Sequence, residues 1–149
     1  MSRAFACKFW WKLRLKESIG ADFMHEKYIK GLHPVSTSFP CPTVSWRHLE
    51  EMQHLAEQNI RWSLGEGLVN FWRDRWLFDE PLCSILDRSE SPHFLVAEFV
   101  SGEAWNEQCL LQWVPVHVVQ AIQEVFFFNL IGLIEWYGFR HKLVFFWWN

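Results

Sequence analysis

Apolar side chains recur at helical spacing from the start of the chain. Phe5, Phe9, Trp10 and Leu13 fall together in a helical projection, with Lys8, Lys12 and Lys16 on another face. That pattern predicts an amphipathic helix from about Ala4 to Glu17. Ser18-Ile19-Gly20 interrupts it. Phe23, Met24 and Tyr28 predict a second short helix, which Gly31 stops. Three prolines between Pro34 and Thr43 remove backbone donors and predict a loop. Ser45 is the expected N-cap of a third helix reaching Glu57, whose apolar face is Trp46, Leu49, Met52 and Ala56.

The period then changes from helical to alternating. Ile60, Trp62 and Leu64 alternate with Arg61 and Ser63, and Val69 and Phe71 follow Gly65-Glu66-Gly67. Two alternating arms around glycines that tolerate positive φ predict a β-hairpin over about 60–71. A phosphate-cradling loop is the weaker reading of Gly-x-Gly, because the third glycine and the following helix are missing. Asp79-Glu80-Pro81 and residues 89–92 read as loops, and Phe94 to Val100 as either strand or helix. Asn106 is an expected cap for a helix carrying Cys109, Leu110 and Trp113. Pro115 suits the first turn of another, with Val118, Val119, Ile122, Val125 and Phe126 on one side. The fold class expected is α+β, mostly α: short amphipathic helices around one hairpin, with long loops. A length of 149 residues suits one domain.

Composition adds aromatic weight. Eleven Trp and fourteen Phe, spread along the chain, argue against disorder. The formal net charge of −3 excludes a uniformly basic nucleic-acid binder. The charge is uneven, however: Arg3, Lys8, Lys12, Arg14 and Lys16 precede any acid. This basic, aromatic start suits single-stranded nucleic acid, with Lys8, Trp11, Lys12, Arg14 and Lys16 as candidate contacts. The plainer reading is a solvated helix face over a buried Trp10. The same segment resembles a mitochondrial presequence in charge, but not in its bulky Trp10-Trp11 pair. Cys7, Cys41, Cys83 and Cys109 are far apart and form no Cys-x-x-Cys, so reduced thiols in an intracellular protein are expected. Val125 to Ile134 is apolar but too short for a bilayer, which needs about 20 such residues, so no membrane span is expected.

The ordered motifs carry a resemblance. They are Lys8-Phe9-Trp10-Trp11-Lys12-Leu13-Arg14, His33-Pro34, Ile60-Arg61-Trp62-Ser63-Leu64-Gly65-Glu66-Gly67, Asn70-Phe71-Trp72-Arg73-Asp74-Arg75-Trp76, Val96-Ala97-Glu98-Phe99, Trp105-Asn106 and Val114-Pro115. In this order they resemble the connecting region of plant non-LTR (LINE-type) retrotransposon polyproteins, which lies between the reverse transcriptase and a short zinc-binding region. The likeness covers the chain to about Glu124. It implies a region at 1–124, followed by an apolar, altered tail at 125–149 that leads towards a zinc-binding region this sequence lacks. The resemblance implies a spacer that positions its neighbours on nucleic acid, in nucleus or cytoplasm. It also implies structural roles for Trp62, Gly65, Gly67, Phe71, Trp72, Asp74, Trp76 and Trp105.

Catalytic constellations are missing from the sequence. Two-metal polymerase or nuclease chemistry needs convergent carboxylates, and no Asp-Asp pair occurs. Asp74 stands alone in its motif and reads as the cap of a backbone turn or as a partner of Arg73 or Arg75. Zinc needs four converging ligands, whereas His48 and His54 lie six apart on different faces and His25-Glu26 lacks the second histidine of a metalloprotease motif. There is no Gly-x-Ser-x-Gly, and no cysteine has an activating neighbourhood. The expectation is therefore no catalytic residue, no metal, no cofactor and no small-molecule substrate. The alternative to a spacer is a small module binding single-stranded nucleic acid or protein through the first helix.

Overall fold

In the computed structural model, residues 3–64, 69–88, 90–102, 104–135 and 144–146 are described, with side chains as far as Val125. The architecture is α+β and mostly α. The chain divides into two compact units, one ending at Ile60 and the other beginning at Arg61.

The first unit is helical. α1 (Arg3–Leu15) packs along α3 (Val44–Gln58), and α2 (Ile19–Met24) lies beside α1. Trp10, Leu13, Ile29, Trp46 and Leu49 form its core. α1 ends without a glycine. Lys16 takes the left-handed conformation (φ 54°), and the Lys16 and Glu17 amides return to the carbonyls of Leu13 and Lys12. These are the two bonds of a Schellman cap, in which the left-handed residue is normally glycine. Ser18 then caps α2 by accepting from the Ala21 amide. α2 runs on as a π-helix, His25–Ile29, which closes at left-handed Lys30 and Gly31. The expected loop contains a 3-10 turn, Pro34–Ser36. The cap of α3 is Thr43, two residues before the expected Ser45: its hydroxyl accepts from the Trp46 amide. Tyr28 stacks on Trp46 (ring centroids 4.3 Å apart) and its hydroxyl lies 2.9 Å from Thr43 Oγ1.

The second unit wraps short elements around Phe71. The strand β1 (Ile60–Trp62) begins at the boundary, and α4 (Leu82–Ile85), a 3-10 turn at Val96–Phe99, β2 (Val100–Ser101), β3 (Ala104–Trp105), α5 (Glu107–Leu111) and α6 (Val116–Glu135) follow. β1 neighbours β4 (Val144–Phe146) in a two-stranded sheet. Asn106 caps α5 as expected, accepting from the Cys109 amide. The Pro115 carbonyl opens α6 by accepting from the Val118 and Val119 amides. α6 contains the apolar stretch from Val125 to Ile134.

The hairpin is placed differently from the expectation. The turn at Gly65-Glu66-Gly67 lies outside the described residues, and among the described residues the second arm pairs elsewhere. Asn70 bridges Leu95, the Phe71 amide donates to Phe94, and Val96 donates to Val69. The antiparallel pair with a local turn is β2 with β3, Val100 opposite Trp105. Alternation correctly marked Trp62, Val69 and Phe71 as buried, while Leu64 is half-buried. Alternation reports which face is buried and not which strand is the partner, so the local pairing did not follow from it.

Candidate functional site

Of the residues that carry the resemblance, Lys8–Arg14 and His33-Pro34 lie in the first unit, while Trp62, Asn70–Trp76, Phe99 and Trp105 come together in the second and engage one another. Asn70 and Asp74 close the turn between them from both ends. The Asn70 side-chain Oδ1 accepts from the Trp72 amide (3.1 Å) and the Arg73 amide (2.9 Å). Asp74 Oδ2 accepts from the Asn70 amide at 2.7 Å. This is the reciprocal logic of a capping box, with two side-chain oxygens and three backbone amides satisfying one another. Of the roles expected for Asp74, the turn cap is present: its carboxylate accepts from the Asn70 amide. Both residues are buried.

The aromatics of the same block build the core around that turn. Phe71 and Trp72 are fully buried. Phe71 sits 4.2 Å from the Phe99 ring and 5.6 Å from Trp76, centroid to centroid. The Trp76 indole donates to the Phe71 carbonyl at 2.9 Å and stacks on Trp105. Arg88 lies over the Trp72 ring, 5.2 Å from its centroid, as a cation–π pair. The Trp62 amide donates to the Arg75 carbonyl, which ties the strand to the end of the block. Arg61 reaches Asp79 at 2.7 Å, and the Arg75 side chain donates to the Asp79 carbonyl. The expected structural residues Trp62, Phe71, Trp72, Asp74, Trp76 and Trp105 are therefore all in one packed body. Gly65 and Gly67 lie outside the described residues.

The nucleic-acid candidates on α1 divide. Lys8 and Lys16 are exposed, and Trp11 and Lys12 are half-buried. Arg14 is corrected from surface contact to core: its side chain is 5 % exposed and its Nε lies 3.0 Å from Glu57 Oε1. The same carboxylate oxygen accepts from the Trp10 indole at 2.8 Å. Arg14 Nη1 lies 3.0 Å from His33 Nε2. A guanidinium can only donate, so the ring nitrogen is the acceptor of that contact. The signal for this network was available in the sequence: Arg14 follows Trp10 by four residues and Leu13 by one, on the apolar side of the helix.

Two titratable groups depart from their ordinary values. Burial pushes His25 below its usual value, partly opposed by the bond from the ring to the Leu13 carbonyl (2.8 Å), while Lys16 and Arg14 lower it further. The side-chain bond to Thr43 lowers Tyr28. Neither faces a reactive constellation. Among the described residues no three of His, Cys, Asp and Glu converge as a metal site, and no helix is long and apolar enough to cross a membrane. Comparison of the chain with protein-family models, with curated proteins and with solved structures finds no match.

Proposed function

We propose that this chain is a retroelement-derived segment without catalysis of its own, whose work in a parent polyprotein is to space a polymerase and a zinc-binding region on nucleic acid. One observation carries the reading. The side chains that make the sequence resemble a retrotransposon connecting region, above all Asn70, Asp74 and Trp76, are spent on closing and packing a turn. Groups so engaged supply a rigid body, not a reacting centre. Nucleic-acid contact through α1 is the weaker reading, because Arg14 faces Glu57 instead of solvent.

The test of origin is translation of the flanking genomic DNA in all frames. The reading expects polymerase motifs upstream and a Cys/His cluster downstream. Flanks that encode an unrelated protein in the same frame overturn it.

A further inference from the structure

The first unit carries an exposed apolar ridge that its core does not use. Phe5 and Phe9 share a face of α1 and stack at 6.5 Å. The Phe9 ring lies against Gly20 of α2, close enough that a methyl group there would sit 3.6 Å away. Ile19 and Phe23 are one helical turn apart beside that glycine. The ridge therefore runs from one helix to the next. Its side chains protrude: Phe5 is 55 % exposed, Phe23 58 % and Ile19 90 %. Large apolar groups held in water across two neighbouring helices mark an interaction surface.

Cations line the ridge. The expected separation of lysines from these aromatics is corrected here: Trp10 and Leu13 face the core, while Lys8 and Lys12 border Phe5 and Phe9, each lysine three residues after a phenylalanine. Lys16 follows at the end of the helix, and Lys27 Nζ lies 5.6 Å from the Phe23 ring centroid. Glu17, Asp22 and Glu26 are also exposed nearby, before α2, on it and in the π-helix that continues it. α1 itself contains no acid. Protruding aliphatic and aromatic groups beside lysines match the boundary of an anionic bilayer, where the apolar groups enter the acyl edge and the ammonium groups meet phosphates. Ile19 decides between lipid and nucleic acid. It is the most exposed side chain of the ridge and is aliphatic, so it offers no face for base stacking.

We propose that the Phe5–Phe9–Ile19–Phe23 ridge of the first unit, with Lys8, Lys12, Lys16 and Lys27, docks on the surface of an anionic membrane. The docking is peripheral and rests on the folded pair α1–α2. It is independent of the retroelement reading.

The test is flotation of the full-length chain with vesicles of phosphatidylcholine alone or with one third phosphatidylserine. The chain should float with the mixed vesicles, much less with the neutral ones, and less in high salt. The variant I19S/F23S should lose most of the floated fraction, with an unchanged circular dichroism spectrum because both residues lie outside the core. The variant K8Q/K12Q/K16Q tests the charge separately and should weaken partitioning by about fivefold for each lysine exchanged. Flotation that is equal with both vesicle types, or unchanged in I19S/F23S, overturns the proposal. So does failure of the folded chain to float with the mixed vesicles, whether or not it binds a single-stranded RNA oligonucleotide through the same lysines.

Discussion

Arg14 and Glu57 form a buried ion pair, 3.0 Å from Nε to Oε1, that joins the end of α1 to the end of α3. Glu57 also accepts from the Trp10 indole, so one carboxylate holds two groups of the neighbouring helix. Removing one member of such a pair leaves the other charged in a low-dielectric setting. Arg14→Ala should destabilise the chain by about 3 kcal/mol, the lower end of the range for breaking buried pairs, since Glu57 keeps some exposure. Urea unfolding checks this. An unchanged midpoint would return Arg14 to the surface.

The α1 terminus offers a change of opposite sign. Lys16 sits at φ 54°, where a Cβ is unfavourable. Lys16→Gly should keep both capping bonds and raise stability by up to about 1 kcal/mol, with the gain reduced by the extra freedom of glycine in the unfolded chain. The thermal midpoint is the readout, and a lower midpoint counts against the cap.

His25 predicts a pH dependence. Its folded value lies below 6.5, so the unfolded state binds more protons in the window below that pH. Its stabilising contribution is fully present above 6.5 and is lost as pH falls through the folded value. His25→Gln keeps a donor for the Leu13 carbonyl and has no titration. The wild-type midpoint, measured from pH 7.5 to 5, should fall more steeply than that of the variant. Parallel curves would show that His25 contributes nothing.

How much was legible depended on whether the signal was local. The α3 face was in the main: Trp46, Leu49 and Ala56 are buried as their spacing required, with Met52 half-buried, and Asn106 caps α5, whereas Phe5 of the expected α1 face is 55 % exposed. The end of α1 was not, because a lysine occupies the position where glycine would have announced the turn. The strand partners of Val69–Phe71 were not either. They lie some twenty-five residues away at Phe94–Val96, and no local period encodes that distance. In the candidate site, the sequence leaves Asp74 as a turn cap or a partner of Arg73 or Arg75, and nothing in it pairs Asp74 with Asn70. Buried Arg14 was grouped with the surface lysines by charge, although its spacing from Trp10 placed it on the apolar face.

Truncation bears on the tail. Among the described side chains of α6, Val118, Val119 and Ile122 are the buried ones, and all precede Glu124. The apolar, uncharged stretch from Val125 to Ile134 has the composition of an aggregating segment. A chain ending at Glu124 should give more soluble protein while keeping its helical circular dichroism. Loss of the spectrum, or more aggregate, would make the later residues part of the core.

Asn70 and Asp74 close the turn that makes Asn70–Trp76 a structural body. Equilibrium unfolding of Asp74→Ala in urea, set beside Asp74→Asn, tests it most directly. The alanine variant strands the buried Asn70 amide and should lose about 1–3 kcal/mol, while asparagine retains an acceptor and should lose less. Wild-type stability in Asp74→Ala would contradict the account, because a carboxylate that can be deleted without cost is not what holds the turn.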